Sequence, residues 1–184
     1  DEEGIEVMGN DIIDINRENI SIMYFEANSF MNAYVLKKEQ LKAALGKISH
    51  EISQPCCIVL LSFACELYFK ALFCIEKIEE DDSISVVKMK KGHELDDLFN
   101  RLSNDLKKMV SQKTNYKVEE LTQQLNVHKN DFIEWRYIFE KDSQKFKYNV
   151  SFLENIANTL YEIAKDKFEN INFNSSNISF ELMG

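Results

Sequence analysis

The chain has 184 residues, 45 % of them hydrophobic and 29 % charged, with a formal net charge of −9. That length suits one domain with a sizeable core, and that composition excludes an intrinsically disordered protein. The acidic balance argues against a protein that coats nucleic acid over its whole surface, and 5 Gly with 1 Pro leave too few turn-formers for an all-β domain.

Residues 1–19 carry most of an acidic excess (−7 over residues 1–36) and read as an irregular lead-in. From about Ser21 to Lys47 the periodicity becomes helical, with Met23, Ala27, Phe30, Tyr34, Leu41 and Leu45 near one face. A second helix is expected to open at Ser53, as N-cap, with Pro55 in its first turn, and to run to about Ile78. It is apolar on nearly every side, which predicts the central helix of a bundle. Its longest apolar run, Cys56–Ala64, is far short of the roughly 20 residues that span a bilayer. No basic-then-apolar leader is visible, so a cytoplasmic protein without membrane attachment is expected. All four cysteines (Cys56, Cys57, Cys65 and Cys74) fall in this helix and read as buried thiols of a reducing compartment. With three dispersed histidines, no metal site and no cofactor are expected.

A third helix is predicted from about Glu94 to Gln112, burying Leu95, Leu98, Leu102, Leu106 and Met109. Residues 88–117 hold a local excess of +4, which could hold a phosphate backbone or simply solvate a helix face. A fourth helix is expected from about Val118 to Lys141, with Leu121, Leu125, Phe132, Trp135 and Phe139 inward and a break in the polar run Asn126–Asn130. The last runs from about Phe152 to Ile171, burying Phe152, Ile156, Leu160, Ile163 and Phe168, before an Asn/Ser-rich tail. The fold expected is therefore all-α, a single bundle of about five main helices over residues 20–173, with a tail at 174–184.

Three segments can carry chemistry. Glu66 and Lys70 lie one turn apart inside the most apolar helix, the spacing of an intrahelical ion pair. A carboxylate there is costly unless partnered, so it is either a polar staple or a functional group facing a cleft. His93 precedes the third helix, where capping or packing is the ordinary role. Arg136 sits between Trp135 and Tyr137 with Glu140 a turn later. This planar cation suits either a buried ion pair, for instance with Glu66, or a phosphate.

Taken in order, Glu66-Leu67-Tyr68-Phe69-Lys70-Ala71-Leu72, Gly92-His93-Glu94-Leu95 and Trp135-Arg136-Tyr137-Ile138-Phe139-Glu140 resemble the motifs of HEPN domains. The resemblance implies a helical bundle that dimerises and belongs to prokaryotic defence, toxin–antitoxin or RNA-processing systems. Many members are metal-independent ribonucleases with an R-x(4–6)-H motif, in which His serves as base for the ribose 2′-hydroxyl and Arg as cation for the phosphate. Here the positions where histidine should follow Arg136 hold Lys141, Asp142 and Ser143, and no histidine follows Arg136 anywhere. The expectation is a non-catalytic dimerising and binding module, taking RNA, a nucleotide or a partner protein, with Glu66, Lys70, His93, Arg136 and Glu140 as a structural or anion-binding cluster. The alternatives are a ribonuclease with a rearranged site, in which Arg136 binds phosphate and His93 or Lys141 moves protons, and a generic helical interaction protein.

Overall fold

A computed structural model describes residues 11–43, 47–129 and 149–171, with the backbone alone for 47–55. Among these residues the chain is mostly helical, as its periodicity predicts: β1 (Ile12–Asn16), α1 (Arg17–Ala43), α2 (Lys47–Glu80), β2 (Val86–Lys90), α3 (Leu95–Asn100), α4 (Asn104–Thr114), α5 (Val118–Val127) and α6 (Val150–Asn170).

α1 begins where Asn16 and Asn19 cap each other: the Asn19 amide donates to Asn16 Oδ1 (2.8 Å) and the Asn16 amide to Asn19 Oδ1 (3.1 Å). This reciprocal arrangement satisfies two of the amides that every helix start leaves unpaired. Met23, Ala27 and Tyr34 are buried as expected, joined by Ile20, Tyr24 and Met31. α2 starts earlier than expected, at Lys47, so Ser53 is not its N-cap. Pro55 lies inside the helix, where its nitrogen has no hydrogen to give the carbonyl four residues back. α2 is the central element. α1 and α6 pack along it, and α3 meets it through Phe99, whose ring lies edge-on to Phe69. Over Cys56–Glu80 it is long and apolar enough to cross a membrane, and 67 % of its most apolar window is buried against neighbouring helices.

Two departures from the sequence reading lie in the short elements. The lead-in is not wholly irregular: β1 pairs antiparallel with β2, Ile12 opposite Lys90 and Asn16 opposite Val86. Alternation places Ile15, Val87 and Met89 inward, where they meet Ile20 and Met23 of α1 and Ala71, Cys74, Ile75 and Ile78 of α2. The expected third helix is two helices, because the chain breaks at Arg101–Ser103 and restarts. Ser103 Oγ accepts from the Leu106 amide (3.1 Å), and Glu76 of α2 accepts from both the amide (3.1 Å) and the hydroxyl of Ser103. The break resets the helical phase. Leu106, Val110 and Thr114 face inward, while Met109, expected in the stripe, is 41 % exposed. α4 ends at Asn115, whose φ of 61° is the left-handed conformation that asparagine tolerates.

α5 ends at Val127, at the polar run where a break was expected, with Leu121 and Leu125 buried. Asn149 caps α6 by accepting from the Phe152 amide at 3.0 Å. Phe152, Ile156, Leu160 and Ile163 complete the main core with Ile58, Leu61, Tyr68, Phe69 and Leu72 of α2. Phe132, Trp135 and Phe139, Leu45 and the tail at 174–184 lie outside the described residues.

Candidate functional site

The site begins with a carboxylate where an all-apolar helix should have none. Glu66 lies in the middle of α2, 4 % exposed, between the buried Cys65 and the half-buried Leu67. A charge so placed needs partners, and one oxygen finds two. Glu66 Oε1 accepts from Lys70 Nζ at 2.6 Å and lies 2.8 Å from His93 Nδ1. Lys70 comes from the next turn of α2, and its side chain is only 12 % exposed. His93 comes from the segment between β2 and α3, and its side chain is 61 % exposed. The expected intrahelical pair is therefore present, and the histidine found by motif order joins it.

A local scaffold holds that segment. Arg101 donates through Nη1 to the carbonyl of Lys90 (2.6 Å), and through Nη2 to the carbonyl of Lys91 (3.4 Å) and to Asp97. The Lys91 amide donates to the carbonyl of Asp11 at 2.6 Å, which continues the β1–β2 ladder by one bond. Gly92 lies against the guanidinium: a Cβ there would sit 2.8 Å from Arg101 Nη2, closer than side chains tolerate. Glycine thus lets Arg101 approach the loop that presents His93. Counting charges assigned Arg101 to a basic surface; instead it clamps the loop, with a side chain 15 % exposed. Its spacing of four from Asp97 was the signal in the sequence.

A hydrogen bond between an imidazole Nδ1 and a buried carboxylate fixes the ring's orientation, and in a neutral ring that donates through Nδ1 the other nitrogen, Nε2, is an acceptor. In an exposed ring that nitrogen is accessible. The cluster can therefore orient a base or a hydrogen-bond acceptor at the surface, while the carboxylate and ammonium neutralise each other below it. Beside it, Asp96 Oδ2 accepts from Asn126 Nδ2 at 2.6 Å, tying α3 to α5, and Asp96 Oδ1 is buried without a hydrogen-bond partner among the described residues.

Family models, curated proteins and solved structures offer no match to this chain. Its chemistry is therefore read from its own residues.

Arg136 and Glu140, with Trp135 and Lys141, lie outside the described residues, as does any distance from Arg136 to Glu66 or His93. The third histidine, His128, is 1 % exposed, and its ring stacks on Phe152 at 5.5 Å. The basic segment 88–117 is dispersed in role. Lys88 and Lys90 line the outer face of β2, Lys113 pairs with Glu162 of α6 (2.9 Å), and Arg101 serves the clamp. Of the cysteines, Cys57, Cys65 and Cys74 are buried and Cys56 is exposed, all as free thiols. Burial raises the pKa of Cys57 and Cys65, and pushes Cys74 up to about 12, so the buried three remain protonated and unreactive. Among the described residues, no three His, Cys, Asp or Glu side chains gather as a metal site would require.

Proposed function

We propose that this chain is a HEPN-like helical module that dimerises and binds, without catalysing, in a prokaryotic defence, toxin–antitoxin or RNA-metabolism system of the cytoplasm. The observation that carries the reading is the double engagement of Glu66 Oε1. That oxygen holds both Lys70 and His93, so the three form a polar unit that fixes the β2–α3 loop to the central helix. The order of the E-L-Y-x-K-A-L, G-H-E-L and W-R-Y-x-x-E segments supports the family, and the lack of any histidine after Arg136 supports the absence of its ribonuclease chemistry. Binding partners in this reading are RNA, a nucleotide or another protein, with Arg136 and Glu140 as contributing residues.

One observation favours a second reading, a ribonuclease with a rearranged site. The His93 ring is oriented by a buried carboxylate and is largely exposed, which is how a general base is held. In that reading Arg136 neutralises the phosphate while His93 Nε2 takes the proton of the ribose 2′-hydroxyl.

RNA cleavage in EDTA separates the two. The module reading expects no cleavage by the parent protein and none by His93→Ala or Arg136→Ala, with all three folded. Cleavage by the parent that is lost in both variants overturns it in favour of the second reading.

A further inference from the structure

β1 stands at the rim of a two-stranded sheet, and among the described residues no strand pairs with its outer edge. The bond from the Lys91 amide to the Asp11 carbonyl fixes which groups face that edge. It makes Asp11 and Lys91 a hydrogen-bonded pair. Along the unbroken register Ile13 with Met89, and Ile15 with Val87, are then hydrogen-bonded pairs too. The residues between them, Ile12 and Asp14, therefore turn their N–H and C=O groups away from β2. Asn16, the next in that series, gives its amide to Asn19 Oδ1 at 3.1 Å. At the opposite edge a side chain intervenes, since Arg101 Nη1 donates to the outward carbonyl of Lys90 at 2.6 Å.

The inner face of the sheet is apolar, and its cover is incomplete at β1. Ile15, Val87 and Met89 are buried, whereas Ile13 is only partly so. Phe168 and Ile171, at the end of α6, pack on the same cluster. Lys167 of α6 pairs with Glu79, and Arg17, the residue after β1, pairs with Asp82. α6 thus ends close to where β1 passes into α1. From there residues 172–177 can extend about 20 Å. Beyond them Ile178-Ser179-Phe180-Glu181-Leu182 alternates apolar and polar, the period of a strand with one buried face.

We infer that residues 178–182 add to β1 as a third strand, antiparallel to it, with Ile178, Phe180 and Leu182 turned inward. The direction follows from the point of entry, because the segment arrives at the end of β1 and runs back along it. The register follows from charge. Ser179 opposite Asp14 and Glu181 opposite Ile12 keep the two acids apart, and set Ile178 beside Ile15 and Phe180 beside Ile13. Ile13 gains cover, and the outward groups of Ile12 and Asp14 gain partners. The docking also bears on the polar unit of Glu66. β2 ends at Lys90, just before His93, so a third strand steadies the sheet from which that ring is presented.

Hydrogen exchange of the full chain, resolved by residue with NMR, tests the pairing. In an added antiparallel strand only alternate amides face the neighbour. The amides of Ile12, Asp14, Ser179 and Glu181 should therefore be protected, and those of Ile178 and Phe180 should exchange freely. Phe180→Asp places a charge on the inner face, and Ser179→Pro removes a ladder donor. Each should speed exchange at Ile12 and Asp14 about tenfold or more, while Ile13 and Ile15, bonded to β2, stay protected. Should a variant fail to fold, the parent decides alone: alternate protection over 178–181 supports the strand, and uniform exchange there overturns it. Unprotected Ile12 and Asp14 in the parent overturn it as well. So does protection of these two amides that neither variant changes, which assigns the edge to another segment, such as residues 1–10.

Discussion

Replacing Glu66 with leucine removes the acceptor shared by Lys70 and His93 and leaves the leucine well packed in the apolar middle of α2. His93 loses little, since its exposed ring can turn to water. Lys70 is the residue that suffers, because its side chain is 12 % exposed and its ion-pair partner among the described residues is Glu66. Breaking a buried pair from one side costs about 3–5 kcal/mol. Lysine can extend its flexible stem towards solvent, so the lower end, about 3 kcal/mol, is expected. With a urea m-value of about 2 kcal/mol/M, the denaturation midpoint should fall by about 1.5 M. The double variant Glu66→Leu/Lys70→Met discriminates the cause: an apolar pair of similar volume leaves no orphaned charge and should recover most of the loss. An unchanged midpoint in the single variant, or no recovery in the double, would refute the view that this ion pair is an internal staple.

Further outcomes follow from other residues. Phe152→Ala should cost about 3–5 kcal/mol in chemical denaturation, because its ring is 1 % exposed and fills the space between Tyr116 and His128. Ser103→Ala removes the cap that restarts the chain at α4 and one hydrogen of the Glu76 contact, and should cost about 1–2 kcal/mol. In the native protein one thiol, Cys56, should react quickly with a thiol reagent, and all four only after unfolding; two or more fast thiols would contradict the burial of Cys57, Cys65 and Cys74. The thiol of Cys74 is raised from 9.0 to about 12 by burial, so between those values the folded state holds a proton that the unfolded chain has released. Its contribution to stability is therefore full below pH 9 and shrinks as pH rises towards 12. Urea midpoints should fall between pH 8.5 and 10.5, and fall less steeply in Cys74→Ala; a parallel decline in both proteins would remove this cause.

The long helices were legible because each buries a stripe spacious enough to repeat several times, and the period of Met23, Ala27 and Tyr34 or of Phe152, Ile156 and Leu160 admits one reading. The short elements were not. β1 offers five residues without a turn signal, and its partner lies beyond two helices, so nothing local marks the pairing. The α3–α4 break was hidden because Leu95, Leu98, Leu102 and Leu106 keep helical spacing across it; the decisive residue is Glu76, distant in sequence, which holds Ser103 in place. In the site, the Glu66–Lys70 pair follows from spacing alone. His93 was found by its place in a motif, and its contact with Glu66 depends on a loop geometry set by Arg101 and Gly92.

The pairing of Ile12 with Lys90 also has a kinetic side. α1 and α2 are neighbours in sequence, one ending at Ala43 and the other starting at Lys47, and can zip into a hairpin quickly. The two strands must instead wait for both helices to be in place, because closing so long a loop early costs chain entropy that few contacts repay. The segment after β2 carries His93, so the histidine reaches Glu66 only when the ends of this folding unit have met. Hydrogen exchange followed during refolding should show the amides of α1 and α2 protected first and those of Val87, Met89 and Lys91 last.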